Sequence, residues 1–277
     1  MNERHLPDLR ILPTSALVLH EETEGDRTGR LVDRLARERR LKNPPIVAGM
    51  PDSERFVVLD GANRTTSLRA MGAPHVLVQV VNYDEVALDT WNHVVTGMDE
   101  GGFFAAVRAV EGLALTRGTL PQARSLLTAR RCLGYLICSK GQVYLMRGGT
   151  TLVEEARVLK QVVRAYKGVG KIHRIKTDNP AEQGMYYDEP ITAVMVFPRF
   201  TPADIINLAT MDEKMPTGIT RHIIPLRALR VNFDIDVLLN QEMALEQKAA
   251  ALAEWMHDRL QAGGVRVYQE STVLFDE

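Results

Sequence analysis

The segment Leu59-Asp60-Gly61-Ala62-Asn63-Arg64-Thr65-Thr66-Ser67 runs from an apolar stretch through a glycine turn into a helix-forming stretch. The first N–H groups of a helix have no internal partners and point together at the positive end of its dipole. A turn of this kind is a ready phosphate cradle. Gly61 lets the backbone approach an anion closely, and Arg64 adds a planar, charge-assisted grip. Ala62 and Asn63 supply turn backbone, while Thr65, Thr66 and Ser67 add hydroxyls within reach of a phosphate. Asp60, at the strand end, is a candidate oxygen ligand for Mg²⁺ and a candidate catalytic carboxylate that orients an acceptor. The plain alternative is a strand–turn–helix corner in which Asp60 or Asn63 only caps the helix.

Such a turn needs strands and a helix to hold it, and the first 90 residues supply them. Strands are expected at Arg10–Pro13 and Leu17–His20. The stretch Arg27 to Arg40 carries Leu31, Val32 and Leu35 at helical spacing with arginines elsewhere. Those arginines read most simply as a solvated helix face and alternatively as an anion-binding one. Pro44-Pro45 is expected to end that helix region. Ile46–Met50 and Arg55–Leu59, joined by Pro51-Asp52-Ser53-Glu54, read as a β-hairpin. A helix over Asn63–Ala70, closed by Gly72, and a strand over Val76–Val81 complete the unit.

Beyond it the pattern from Tyr83 to Ala129 reads as mainly helical, with breaks at Gly101-Gly102 and Gly118 to Pro121. Strands are expected near Leu133–Ile137, Gln142–Met146, Lys171–Ile175, Ile191–Phe197 and Arg221–Pro225, with a closing strand at Val265–Tyr268. Helices are expected over Thr151–Tyr166, capped by Thr150 or Thr151, over Thr201–Thr210, and over Gln241–Leu260. The expectation is a mixed α/β protein, with an α/β unit over residues 1–90 and a more helical α+β part over 91–277.

Composition narrows the function classes. The chain has 277 residues, 45% of them hydrophobic and 25% charged, as in ordinary soluble proteins. Its formal net charge of -1 argues against a general nucleic-acid binder. Cys132 and Cys138 match neither a C-x-x-C nor a zinc pattern and read as free thiols in a reducing cytoplasm. No apolar run approaches the ~18 residues that span a membrane.

The Asp60-Gly61-Ala62-Asn63-Arg64 segment resembles the D-G-x-H-R signature of the ParB/sulfiredoxin superfamily, with Asn63 where the family usually has histidine. Further pieces follow in order: Leu19-His20-Glu21, Pro45-Ile46-Val47, Asp60 through Gly72, Thr90-Trp91-Asn92-His93, Tyr166-Lys167-Gly168 and Pro216-Thr217-Gly218-Ile219-Thr220-Arg221. Together they resemble the free L-serine kinases of that superfamily, including the branch serving staphyloferrin B siderophore synthesis. The resemblance implies a ParB/sulfiredoxin-like N-terminal domain and transfer of a phosphoryl group from ATP or ADP, with Mg²⁺, to the hydroxyl of free L-serine. It implies Glu21 as catalytic base, with Glu22 and Glu24 nearby. Gly61 to Ser67 are then the nucleotide and phosphate contacts. Thr217, Gly218, Thr220, Arg221, His222, Trp91 and His93 fall on the substrate side, Arg221 facing the amino-acid carboxylate. Read bare, the acidic cluster at 21–24 is a solvated turn, Pro216-Thr217-Gly218 a turn before a strand, Trp91 a core residue and His173 an edge-strand residue. The partners implied are L-serine and a nucleotide, without nucleic acid or membrane, in the cytoplasm.

Three rival readings have distinct requirements. Sulfiredoxin-type reduction of a cysteine sulfinic acid needs a cysteine in the phosphate loop, where this chain has Ala62. A ParB-like, nucleotide-dependent DNA-binding or regulatory protein calls for a recognition helix and a basic surface. A silent sensor that kept the nucleotide pocket is favoured only by Asn63.

Overall fold

The computed structural model describes residues 6–183 and 187–268. The first elements are β1 (Asp8–Pro13), β2 (Leu17–Leu19), α1 (Gly25–Glu38), β3 (Arg40–Leu41), β4 (Ile46–Gly49), β5 (Phe56–Asp60), α2 (Ala62–Ala70) and β6 (His75–Val81). Five of the strands form one sheet in the order β1-β6-β4-β5-β2. The expected hairpin is β4 against β5, antiparallel, while β4 pairs β6 and β2 pairs β5 in parallel. Both faces of this sheet are buried, which is why its central strands read as continuous apolar runs. Val47 and Val58 pack on one face with Leu68, Leu77, Leu238 and Leu252. Their neighbours Ala48, Val57 and Leu59 pack on the other with Leu136, Tyr166 and Met195.

The chain continues through β7 (Ala87–Thr90), β8 (Asn92–Thr96), α3 (Glu100–Arg108), β9 (Ala114–Gly118), α4 (Leu120–Thr128), β10 (Gly134–Cys138), β11 (Val143–Arg147), α5 (Leu152–Tyr166), β12 (Lys171–Ile175), β13 (Ile191–Val196) and α6 (Pro202–Thr210). A six-stranded sheet, β12-β8-β13-β10-β11-β9, is antiparallel throughout. One face packs on α3 and α5 through Phe103, Leu159 and Val162, and the other on Ala123 of α4. The last elements are β14 (Thr220–Ile223), which pairs β7, β15 (Phe233–Asp234), which pairs β3, α7 (Ile235–Leu239) and α8 (Leu245–Gln261). Although last in sequence, α7 and α8 supply Leu238 and Leu252 to the core of the first sheet. Lys248 of α8 is fully buried and donates to the carbonyls of Leu238 and Asn240, capping α7.

The mixed α/β class is as expected, and the part after residue 90 is rich in helix but organised on a sheet. Four local expectations are corrected. The stretch from Tyr83 to Ala129 contains three strands, because Asn92–Thr96 is a fully buried central strand and short apolar runs carry no period. α1 ends at Arg39, in a left-handed conformation with φ 53°, before the prolines are reached. The final helix begins at Leu245 rather than Gln241. Val265–Tyr268 forms no strand, and Val267 and Tyr268 stand exposed. Of the two N-cap candidates of α5 the structure uses Thr151, which forms a capping box with Glu154. Among the described residues no helix is long and apolar enough to cross a membrane.

Candidate active site

β5 delivers Asp60 to the edge of the first sheet, and the chain then turns at Gly61 into α2. Gly61 adopts φ +93°, and a Cβ there would meet Pro45 Cα at 3.0 Å, so any other residue at this turn is strained. Burial pushes the Asp60 carboxyl up, but Arg64 and Arg227 outweigh it and hold the group below the usual carboxylate range. Arg64 Nη2 lies 3.5 Å from Asp60 Oδ1, and Arg227 donates to Oδ2. Arg64 also donates to the carbonyls of Asn43, at 2.6 Å, and Pro44, at 3.1 Å. Arg227 is aimed by Gln79, which donates to Leu226 O at 2.6 Å and accepts from Ala228 N at 2.9 Å.

Asn63 ties the turn to α1. Its side-chain oxygen accepts from Glu24 N at 3.0 Å and from Thr28 Oγ1 at 3.2 Å, and Ser67 donates to Thr28 O at 3.1 Å. The first turns of α1 and α2 therefore meet at Asn63. The amide holds the scaffold in the position where the resembling family usually has histidine.

The second strip of the site is formed by residues 20–22 running beside residues 215–218. Met215 N donates to His20 O at 2.8 Å, Glu22 N donates to Met215 O at 2.9 Å, and Thr217 Oγ1 donates to Glu22 O at 2.5 Å. Gly218 N donates to Glu21 Oε2 at 3.1 Å. His20 donates from Nδ1 to Val58 O at 2.6 Å, and its Nε2 lies 2.9 Å from the Thr220 hydroxyl. His222 Nε2 lies 2.8 Å from the Tyr83 hydroxyl, and burial pulls its pKa down to about 3. Arg221 Nη1 lies 3.3 Å from Asp89, and its guanidinium stacks 4.7 Å over the Trp91 ring.

These strips enclose one cleft of about 1310 Å³. Of the residues singled out in the sequence, Glu21, Asp60, Gly61, Ala62, Asn63, Arg64, Trp91, Thr217, Gly218, Thr220, Arg221 and His222 line it. Four do not. Thr65 and Ser67 have buried side chains inside α2, and Thr66 Oγ1 is buried as well. His93 is 1% exposed and lies behind the wall, 3.2 Å from Gly218 O. His173 sits on the edge strand β12, against Thr96 and Tyr187.

The structure adds residues that the sequence reading did not assign to the site. Arg27, Arg30, Arg34 and Arg37 of α1 line the cleft, and all but Arg34 are also exposed to solvent. Their spacing of three and four residues was the available signal. Arg174 and Arg227 line it too, from a strand and a loop whose local patterns carry no such signal. Among the described residues no group of three or more His, Cys, Asp or Glu is placed to hold a metal ion. The cleft thus presents helix N-termini and many guanidinium groups for an anion, beside carboxylates that can act on a neighbouring group.

No family model matches the chain. It is 25% identical over 285 residues, covering 100% of both chains, to the ATP-dependent L-serine kinase SbnI of Staphylococcus aureus. A second relative, the ATP-dependent L-serine kinase of Desulfurococcus mucosus, is 26% identical over 83 residues, 29% of this chain and 32% of that one. Among solved structures, SbnI with a C-terminal truncation superposes with a TM-score of 0.74 at 23% identity, covering 94% of this chain and 100% of that one. A free serine kinase in complex with AMP superposes with a TM-score of 0.72 at 18% identity, covering 84% and 94%. From end to end, the chain resembles an ATP-dependent L-serine kinase in sequence and shares the fold of the free serine kinases.

Proposed function

We propose that the protein is a kinase that transfers a phosphoryl group from ATP to the hydroxyl of free L-serine, giving O-phospho-L-serine. The observation that carries this reading is convergence: Glu21, the Asp60–Arg64 turn and the Thr217–His222 segment, far apart in sequence, line one cleft. The full-length likeness to an ATP-dependent L-serine kinase supports the choice of donor and acceptor.

In this reading the nucleotide phosphates lie on the Gly61–Arg64 turn, at the N-terminus of α2. Arg64, Arg227 and the arginine face of α1 offset the charge that builds up during transfer. Serine lies beside the 217–222 segment, with its carboxylate toward Arg221, whose guanidinium Asp89 and Trp91 hold in place. The serine oxygen attacks the terminal phosphorus, the new O–P bond forms, and the bond to the departing ADP oxygen breaks. The hydroxyl proton passes to Glu21. Asp60 is the poorer base, because two guanidinium groups stabilise its charged form. Mg²⁺ belongs to the proposal as well. Mg²⁺ commonly binds through few protein carboxylates together with substrate phosphates, and Asp60 on the cleft wall would be the protein ligand that holds it. When bound it neutralises phosphate charge.

The enzyme in this reading is cytoplasmic, acts without nucleic acid or membrane, and divides near residue 90 into a nucleotide-binding part and a substrate-side part. The test is phosphorus NMR of purified protein with Mg²⁺, ATP or ADP, and serine, threonine or homoserine. O-phosphoserine formed from ATP and serine is expected. No phosphorylated amino acid with either donor, together with tight CTP or DNA binding, contradicts the reading and favours the DNA-binding rival.

A further inference from the structure

We propose that His93 is a positioning residue for the transfer reaction, acting on Glu21 through the backbone of Gly218. The inference rests on the kinase reading for its functional meaning, but its geometry stands apart from it. Gly218 is held on both sides of its Cα. Its N–H donates to Glu21 Oε2 at 3.1 Å, and its carbonyl lies 3.2 Å from His93 Nε2. A carbonyl only accepts, so His93 Nε2 carries the hydrogen and Nδ1 accepts from the Tyr166 hydroxyl at 2.8 Å. The order of contacts is therefore Tyr166, His93, Gly218, Glu21.

Each member is anchored. Tyr166 is fully buried at the end of α5, with its ring 5.8 Å from that of Phe103. His93 lies on β8, hydrogen-bonded on both sides within the second sheet, with its ring 5.0 Å from Phe197. Gly218 adopts φ +77°, and a Cβ there lies 2.1 Å from Arg174 Nη2, so the guanidinium covers the one face the backbone leaves open. Rotation of the loop about Gly218 breaks a bond at one end or the other. The second sheet thereby fixes where the Glu21 carboxylate points. With Oε2 given to Gly218, Oε1 is the oxygen left for the serine hydroxyl.

His93 does not itself take the proton. Both ring nitrogens are occupied, and burial pulls its pKa down to about 4, so the ring stays neutral while it holds the loop. A misplaced catalytic group costs turnover rather than binding, and that sets the signature to look for.

The test compares wild type, His93→Phe, His93→Gln and Tyr166→Phe, the first two also in a Glu21→Gln background. His93→Phe is expected to lower kcat roughly 10- to 100-fold while KM for serine and for ATP stay within about threefold. His93→Gln, whose amide N–H reaches toward the Gly218 carbonyl, recovers most of that loss. Tyr166→Phe, which preserves the ring, gives a smaller loss of the same kind. In the Glu21→Gln background His93→Phe costs no more than about twofold further, because both changes act on one group. Independently of activity, hydrogen exchange at the Gly218 amide rises roughly tenfold or more in His93→Phe and falls back in His93→Gln. Unchanged exchange in His93→Phe overturns the proposal whether or not the protein is a kinase. So does a loss expressed in KM for serine alone, or a full loss repeated in the Glu21→Gln background. Wild type that forms no phosphoserine overturns the kinase reading only, and the exchange measurement still decides the positioning.

Discussion

Glu21 and Asp60 are both carboxylates lining one cleft, and their partners separate them. Asp60 faces two arginines that favour its charged form, whereas Glu21 accepts through Oε2 from the Gly218 N–H and, among the described residues, has no guanidinium hydrogen-bonded to it. Glu21→Gln is therefore expected to lower kcat by on the order of 10²–10⁴-fold with nucleotide affinity unchanged, read by phosphoserine formation and by calorimetry with ATP. The buried histidines make a second prediction. His93 and His222 have pKa values pulled down to about 4 and about 3, while in the unfolded chain they titrate near ~6.5. Between those values the unfolded chain binds more protons, so stability falls as pH drops below about 6.5. Each histidine contributes up to about 1.4 kcal/mol per pH unit, and urea midpoints at pH 7 and pH 5 measure the slope. His222→Asn should flatten that dependence.

The turn at Gly61 was legible because it joins an apolar strand to a helix through a residue free to adopt positive φ. Gly61→Ala is expected to cost roughly 1–3 kcal/mol, read as a drop in the urea midpoint, since φ +93° and the contact with Pro45 both oppose a Cβ. The arginine face of α1 was visible as a spacing, with an anion-binding face as the less favoured of two readings. Nothing local distinguishes a face turned to solvent from one turned to a cleft, and the direction is set by Asn63 holding the first turn of α1 against α2. Arg30→Ala is expected to weaken ATP binding roughly tenfold without lowering the melting temperature, because it removes one of a row of like charges. Arg64→Ala differs. It removes the links to Asn43 and Pro44 as well, so both ATP affinity and stability fall. β8 was missed for the opposite reason: a strand buried on both faces and paired on both edges shows no alternation to read. The hydroxyls of Thr65, Thr66 and Ser67 were assigned to phosphate by proximity in sequence, but the helical turn carries them away from the cleft.

At the scale of the molecule, the chain returns on itself. The last helices bury the outer face of the first sheet, and the Thr217–His222 segment closes over the strip that holds Glu21. No local pattern in the sequence reports such returns; only the resemblance set Glu21 and Arg221 beside one cleft in advance. Leu252, 4% exposed on α8, contributes to the core under β4 and β5, and Leu252→Ala is expected to cost roughly 2–5 kcal/mol. The central claim is that the cleft transfers phosphate to free serine with Glu21 as base. Its most direct test is phosphorus NMR of ATP, Mg²⁺ and L-serine with wild type and with Glu21→Gln. An O-phosphoserine signal growing with wild type and nearly absent with Glu21→Gln is the predicted result. No phosphoserine with wild type, or equal rates in the two proteins, contradicts it.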